Sequence, residues 1–319
     1  MSNLLKPVPT RFRAYQLGRA GSLFSYFADD HFTLIESMAT EMSKPRIREE
    51  LAICGKKSID TLHITSWDDD HCNESGLDWV LQNLAPAKIE YPGYVPHTAC
   101  AEGCMRAIHR YRERWVARGH SVGLQCVDPP YIATLETVSG PGYRDMFYHP
   151  RKLKESSNDN STIKFFRRGS FNVLSLGDVE DPAIAAMVRR CKTLRRECDV
   201  LILAHHGADS GFTTKSFLEE LKPRVAICSS NYDNHYDHPR QQIRDLLYEQ
   251  GIRLFTTKTG DVIIKSMGGH RVDYQVTNLK NNSTEVSSTY DAKARKAHWL
   301  AMNADTLRNV LRPGFKGLR

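Results

Sequence analysis

The densest chemistry in the chain lies in six consecutive residues, Ser66-Trp67-Asp68-Asp69-Asp70-His71. They follow an apolar run, 59–64, that reads as a buried strand. Three carboxylates and an imidazole this close cannot all carry their charge without a counter-charge. A divalent cation supplies one, and Asp and His are its ligands. A solvated acidic turn capping a helix that begins near Glu74 would use the same residues, so the stretch alone decides nothing. Three further strand ends decide it. Asp178 follows the run 171–176, His205 and His206 follow 200–203, and His238 closes the polar loop after 225–228. Strand ends in a layered fold converge on one edge, so the four placements read together as one metal site. For His205-His206 alone, a capped strand end is the plainer reading.

The elements that must position these residues can be traced in order. Extended runs 12–17 and 23–27 flank Gly18-Arg19-Ala20-Gly21, whose glycines permit a tight turn, and a third run, 32–35, follows Asp29-Asp30. A helix ends over 49–54. Another is expected over 75–84 from the spacing of Leu77, Val80, Leu81 and Leu84, and a short strand around Ile89. Residues 100–118 form a basic helix with Arg106, Arg110 and Arg114 four apart on one face. That face is either simply solvated or a surface for phosphates. The span 140–160 is turn-rich and is expected to be a loop. Strands 163–166 and 171–176, helix 182–198, strand 200–203, helix 214–221 and strand 225–228 follow. Pro239 opens a helix that runs to about Glu249, and strands 253–257, 262–265 and 271–276 close the globular part. Beyond them come a polar linker, 281–288, and an amphipathic basic helix, 291–311, able to dock on the domain, a partner or nucleic acid. Strands alternating with helices, entered and left through strand pairs, predict an α/β fold with helices outside two sheets.

Composition bounds the rest. The chain has 319 residues, 40% hydrophobic and 25% charged, as expected of an ordinary globular protein of one large or two small domains. A formal charge of +7 gives weak support to an acidic partner such as nucleic acid. Eight cysteines with no C-x-x-C pair are too sparse for a disulfide scaffold and read as reduced thiols in a cytoplasmic protein. The first nine residues lack the apolar core of a signal peptide, and no run of about 18 apolar residues predicts a transmembrane helix. No membrane association is expected.

With those motifs in view, the sequence resembles a metallo-β-lactamase-fold hydrolase, and within that fold the hydrolase domain of the ComEC family of DNA-uptake proteins. The resemblance covers roughly residues 11–276. Gln16-Leu17-Gly18-Arg19-Ala20-Gly21 resembles that family's first hairpin. Asn160-Ser161, Leu176-Gly177-Asp178, Ala204-His205-His206-Gly207 and Tyr236-Asp237-His238-Pro239 resemble its later motifs. The signature His-x-His-x-Asp-His reads here Ser66-x-Asp68-x-Asp70-His71, with Ser66 in the first histidine position. No match to the middle histidine is recognisable, and His97 is a candidate for it.

The resemblance implies an αβ/βα sandwich of two mixed sheets with helices outside. Residues 1–277 would form the hydrolase domain, 98–160 a divergent insertion carrying the basic helix, and 278–319 the linker and C-terminal helix. It implies one or two divalent ions, Zn or Mn. Asp70, His71, Asp178 and His238 would hold the better-kept position, with Asp178 bridging, and Asp68 with His206 or His205 a second. Metal-activated water would then cut a phosphodiester in DNA. Asp70 would orient or deprotonate the water, and His205 or His206 would protonate the leaving oxygen or bind phosphate. Arg106, Arg110, Arg114, Asn160 and Ser161 would contact substrate. The alternative is a degenerate, non-catalytic scaffold or nucleic-acid-binding subunit, for which Ser66 and the missing histidine argue; the C-terminal helix would then serve a protein partner or an oligomer.

Overall fold

A computed structural model describes residues 8–136, 144–267 and 273–296. The chain opens with a meander, β1 (Thr10–Ala14), β2 (Phe24–Ala28) and β3 (His31–Ile35). Helix α1 (Lys44–Ile53), β4 (Thr61–His63), α2 (Glu74–Asn83), β5 (Lys88–Pro92), α3 (Ala99–Val116) and β6 (Gly123–Val127) follow. Helix α4 (Pro129–Glu136) leads to β7 (Met146–His149), β8 (Ile163–Phe166) and β9 (Val173–Ser175). Then come α5 (Pro182–Arg190), α6 (Lys192–Glu197), β10 (Val200–Ile202), α7 (Lys215–Leu221), β11 (Val225–Cys228), α8 (Gln241–Glu249) and β12 (Arg253–Thr256). Strands β13 (Val262–Ser266), β14 (Asp273–Leu279) and β15 (Val286–Lys293) complete the described chain.

The strands form two mixed sheets. One has nine strands in the order β15-β14-β13-β1-β2-β3-β4-β5-β6, the other six in the order β12-β11-β10-β9-β8-β7. Within them β3 to β6 are mutually parallel, as are β9 to β12. An apolar layer that includes Phe12 and Tyr26 from one sheet and Phe166, Val200 and Ile227 from the other fills the space between them. The rings of Tyr26 and Phe166 lie 5.3 Å apart across it. A second core packs the nine-stranded sheet against α1, α2 and α3, and a third packs the six-stranded sheet against α5 to α8. This is the αβ/βα sandwich that the resemblance implied.

A buried ion pair crosses the apolar interlayer. Lys164 Nζ, on β8, is 2.6 Å from Glu90 Oε2, on β5, and both side chains are buried. His63 Nδ1 lies 3.1 Å from the same oxygen, and the lysine sits 4.8 Å from the ring centroids of both Phe147 and Phe166.

Several expectations need correction. The helix expected over 182–198 is two helices, because Cys191 adopts an extended conformation that ends α5 and starts α6. The expected loop 140–160 contains β7, which pairs with β8, and a 3-10 turn at Asn158–Asn160. The expected insertion 98–160 is woven into the fold: α3 is the crossover between parallel β5 and β6, and β7 edges the other sheet. The expected linker 281–288 is the turn and first residues of a hairpin, and 291–293, expected to start a helix, finish β15. Of the remainder of that helix, Arg295 and Lys296 are helical, and 297–311 lies outside the described residues. Among the described residues no helix is long and apolar enough to cross a membrane.

Candidate metal centre

The parallel strands of both sheets end on one rim, which is where ligand sites form in open α/β sheets. Beyond β4, the chain turns through Thr65 and Ser66 and delivers Asp70 and His71. Gly21 lets the hairpin between β1 and β2 close over this turn. Its φ of +134° is open to glycine, and a Cβ there would meet the Asp70 carbonyl oxygen at 2.8 Å. Beyond β9, Gly177 at φ +59° delivers Asp178. Beyond β10, His205 and His206 both take left-handed backbone, φ 42° and 52°.

These turns converge. Asp70, His71, Asp178 and His206 each offer one donor atom, all within 4.8 Å of one another. That span is little more than twice a metal–ligand bond of about 2.1 Å. His71 Nε2 is buried, and its polar neighbour at close range is Asp178 Oδ2 at 2.9 Å. A buried imidazole nitrogen held this way fits a lone pair reserved for a cation. His206 Nε2 is 3.1 Å from Asp70 Oδ2, and its Nδ1 is 2.8 Å from the Ser229 carbonyl oxygen. A ring that donates through Nδ1 to a carbonyl presents Nε2 to metal. The donor set therefore fits one divalent ion.

Electrostatics agree. Burial pushes the His71 pKa down, but Asp178, Glu36 and Asp70 outweigh it and hold it well above the ordinary value. His206 is raised in the same way, against burial, by Asp178 and Asp70. Burial pushes Asp70 and Asp178 up, and the neighbouring imidazoles more than reverse it. The pocket as a whole attracts positive charge.

His238 stands beside this set. Its ring stacks on His206, with centroids 6.2 Å apart and planes at 7°. Burial, then His206 and His205, push its pKa down to about 4, so the ring is neutral at pH 7. The four clustered donors thus include His206 where the sequence reading set His238. Asp68 is also elsewhere. The Ser66 hydroxyl donates to Asp68 Oδ2 at 2.8 Å and lies 2.9 Å from the Tyr94 hydroxyl, which accepts from the Trp67 amide at 2.8 Å. This closed chain stands where the signature would put imidazoles for a second ion. His97 packs on Tyr94, ring centroids 5.7 Å apart, outside the cluster.

The remaining candidates scatter. His205 lines the cleft, with Nδ1 2.8 Å from Glu180 Oε1. Arg106, Arg110 and Arg114 are exposed on α3, and none lines the cleft. Asn160 is buried and bound to its own loop: its side chain accepts from the Lys154 amide and donates to the carbonyls of Lys154 and Ser156. Those bonds leave it the work of a turn, not of substrate contact. Ser161 is fully buried, its hydroxyl without a partner.

One important group escaped the sequence reading. Glu36, at the end of β3, is buried, with Oε1 3.1 Å from His71 Nδ1. The Thr65 amide donates to its Oε2 at 3.0 Å. The signal was present, since Glu36 directly follows the run 32–35, but it is an acid without a neighbouring histidine in sequence. A carboxylate behind a ligand histidine fixes the ring and raises its basicity. Glu36→Gln is therefore expected to weaken metal affinity about 10- to 100-fold in a chelator-competition titration. An unchanged affinity would remove Glu36 from the site.

The cluster opens on a cleft of about 770 Å³ lined by the β1–β2 hairpin, His205, His206 and the loop 229–240. No family model matches the chain. Over 215 residues, 66% of its length, it is 30% identical to ComE operon protein 3 of Bacillus subtilis (strain 168). Over 123 residues, 38% of its length, it is 26% identical to the competence protein ComA of Neisseria gonorrhoeae. These matches cover 25% and 18% of the two proteins, so the chain corresponds to about a quarter of its curated relatives' length or less. A solved metal-dependent hydrolase of the β-lactamase superfamily, 10% identical, aligns with a TM-score of 0.45 over 79% of this chain and 98% of that one.

Proposed function

We propose, from the kinship of this chain with the ComEC-type competence proteins, that it is a metal-dependent hydrolase that cuts phosphodiester bonds in DNA. The observation that carries this reading is the four-donor cluster, two of whose members, Asp70 and His206, line an open cleft. A divalent ion bound there, Zn or Mn, would lower the pKa of a water and offset charge on a phosphoryl oxygen. Asp70, with its side chain 38% exposed to the cleft, is the group placed to accept the water's proton. His205, steadied through Nδ1 by Glu180, keeps Nε2 for the leaving oxygen. Arg19 and Arg240 on the cleft wall complement a phosphate. The hydrolase unit extends through β15, and eight free cysteines support a cytoplasmic setting.

The Ser66–Asp68–Tyr94 chain favours one ion over two. It also keeps alive a second reading, a metal-holding scaffold without turnover. Elemental analysis of protein purified without chelator should give one divalent ion per chain. A panel of DNA and RNA substrates should show cleavage that excess chelator abolishes and that Asp70→Ala lacks. Metal without cleavage of any phosphodiester selects the scaffold, and cleavage that survives chelation ends the proposal.

A further inference from the structure

The geometry points to single-stranded DNA as the form of substrate, with an unpaired base stacked on Tyr236. This inference rests on the phosphodiesterase reading above and names the substrate for the same cleft. Its basis is a column of rings leading out from the metal cluster. His206 stacks on His238, and His238 stacks on Tyr236, centroids 5.6 Å apart and planes at 24°. Tyr236 ends the column 67% exposed, a large apolar ring with its outer face open to the cleft that it lines. The flat face of a base can continue such a stack. Tyr232, in the same loop, is 79% exposed.

Charge argues the same way. The cleft lining carries Arg19 and Arg240 alongside Glu180, Asp209 and Asp233, so the two arginines can complement a single phosphate while the walls as a whole offer little net positive charge to a long polyanion. Duplex DNA is held chiefly through its phosphates, whereas single strands gain from stacking in addition. In a duplex both faces of each base are already covered, and exposing one requires flipping it out at a cost of a few kcal/mol. A strand whose bases are free meets the column without that cost.

The test compares wild type, Tyr236→Ala and Tyr236→Phe on a single-stranded oligonucleotide, its duplex, and an abasic deoxyribose-phosphate oligomer. The wild-type KM for the intact single strand should be about tenfold below that for the abasic oligomer and the duplex. Tyr236→Ala should raise the single-strand KM by about tenfold with kcat nearly unchanged and leave the abasic KM alone, while Tyr236→Phe behaves as wild type. Equal losses on intact and abasic strands, or no wild-type preference, overturn the inference. Binding of a 2-aminopurine strand in excess chelator separates it from the parent reading. Quenching that needs Tyr236, without cleavage by any variant, sinks the phosphodiesterase and leaves the stacking site standing. Cleavage without quenching sinks the stacking site alone, and neither signal sinks both.

Discussion

Asp178→Asn should cost about 10³-fold or more in kcat/KM and bring bound metal below one ion per chain. Asp178 is buried, with Oδ2 2.9 Å from His71 Nε2, and the charges of His71 and His206 hold its carboxyl ionised against burial. The amide keeps the shape, but it removes the charge and exchanges an acceptor oxygen for a donor. A cation would then face two imidazoles and Asp70 alone, and the several kcal/mol of transition-state stabilisation a metal supplies correspond to that loss in rate. Kinetics and elemental analysis on the same preparation check it. Wild-type metal content with wild-type rate would exclude Asp178 from the centre.

The largest expected effect on stability lies away from the site. Lys164→Met should destabilise the fold by about 3–5 kcal/mol at pH 7, because it strands the Glu90 carboxylate in the apolar layer between the sheets. Lys88, partly exposed and 2.8 Å from Glu90 Oε1, offsets part of the loss. The pH dependence has a definite sign. Burial pushes the Glu90 pKa up, but Lys164, His63 and Lys88 hold it well below 4.5. An acid depressed in the native state contributes stability that is present above its unfolded pKa and lost as pH falls through the folded one. The gap between wild type and Lys164→Met should therefore be widest at neutral pH and narrow below about pH 4.5. Urea denaturation at several pH values measures it. A gap under about 1 kcal/mol at pH 7, or one that widens in acid, would contradict the account.

The metal-type residues were legible because chemistry at strand ends is a pattern in sequence: an apolar run, then Asp or His. The strands within runs 59–64, 200–203 and 225–228 are buried and announce themselves. The choice between His206 and His238 was not legible. Both follow strands, and it is the left-handed backbone at 205 and 206, invisible to periodicity, that puts the His206 ring among the carboxylates. Strand β15 was hidden for another reason. Its residues, Val286–Lys293, are mostly exposed, and pairing with β14 rather than burial makes them a strand. Strand β6 is half-exposed at the opposite edge and gave no alternation to read. Glu36 and Tyr94 became visible only through their partners, since neither sits in a motif.

The four donors come from opposite halves of the sandwich. Asp70 and His71 lie beyond a strand of the nine-stranded sheet, and Asp178 and His206 beyond strands of the six-stranded one. An ion among them would be a cross-link between two layers otherwise joined there by apolar packing and a few hydrogen bonds, such as Ser229 Oγ to the Gly21 carbonyl oxygen, closing a long stretch of chain much as a disulfide does. Such a clasp forms only after the sheets have docked, so metal capture would come late in folding. Its release would be the step that lets the rim spread, and the life of the folded state would then be set by the exchange of one ion as much as by the packing beneath it.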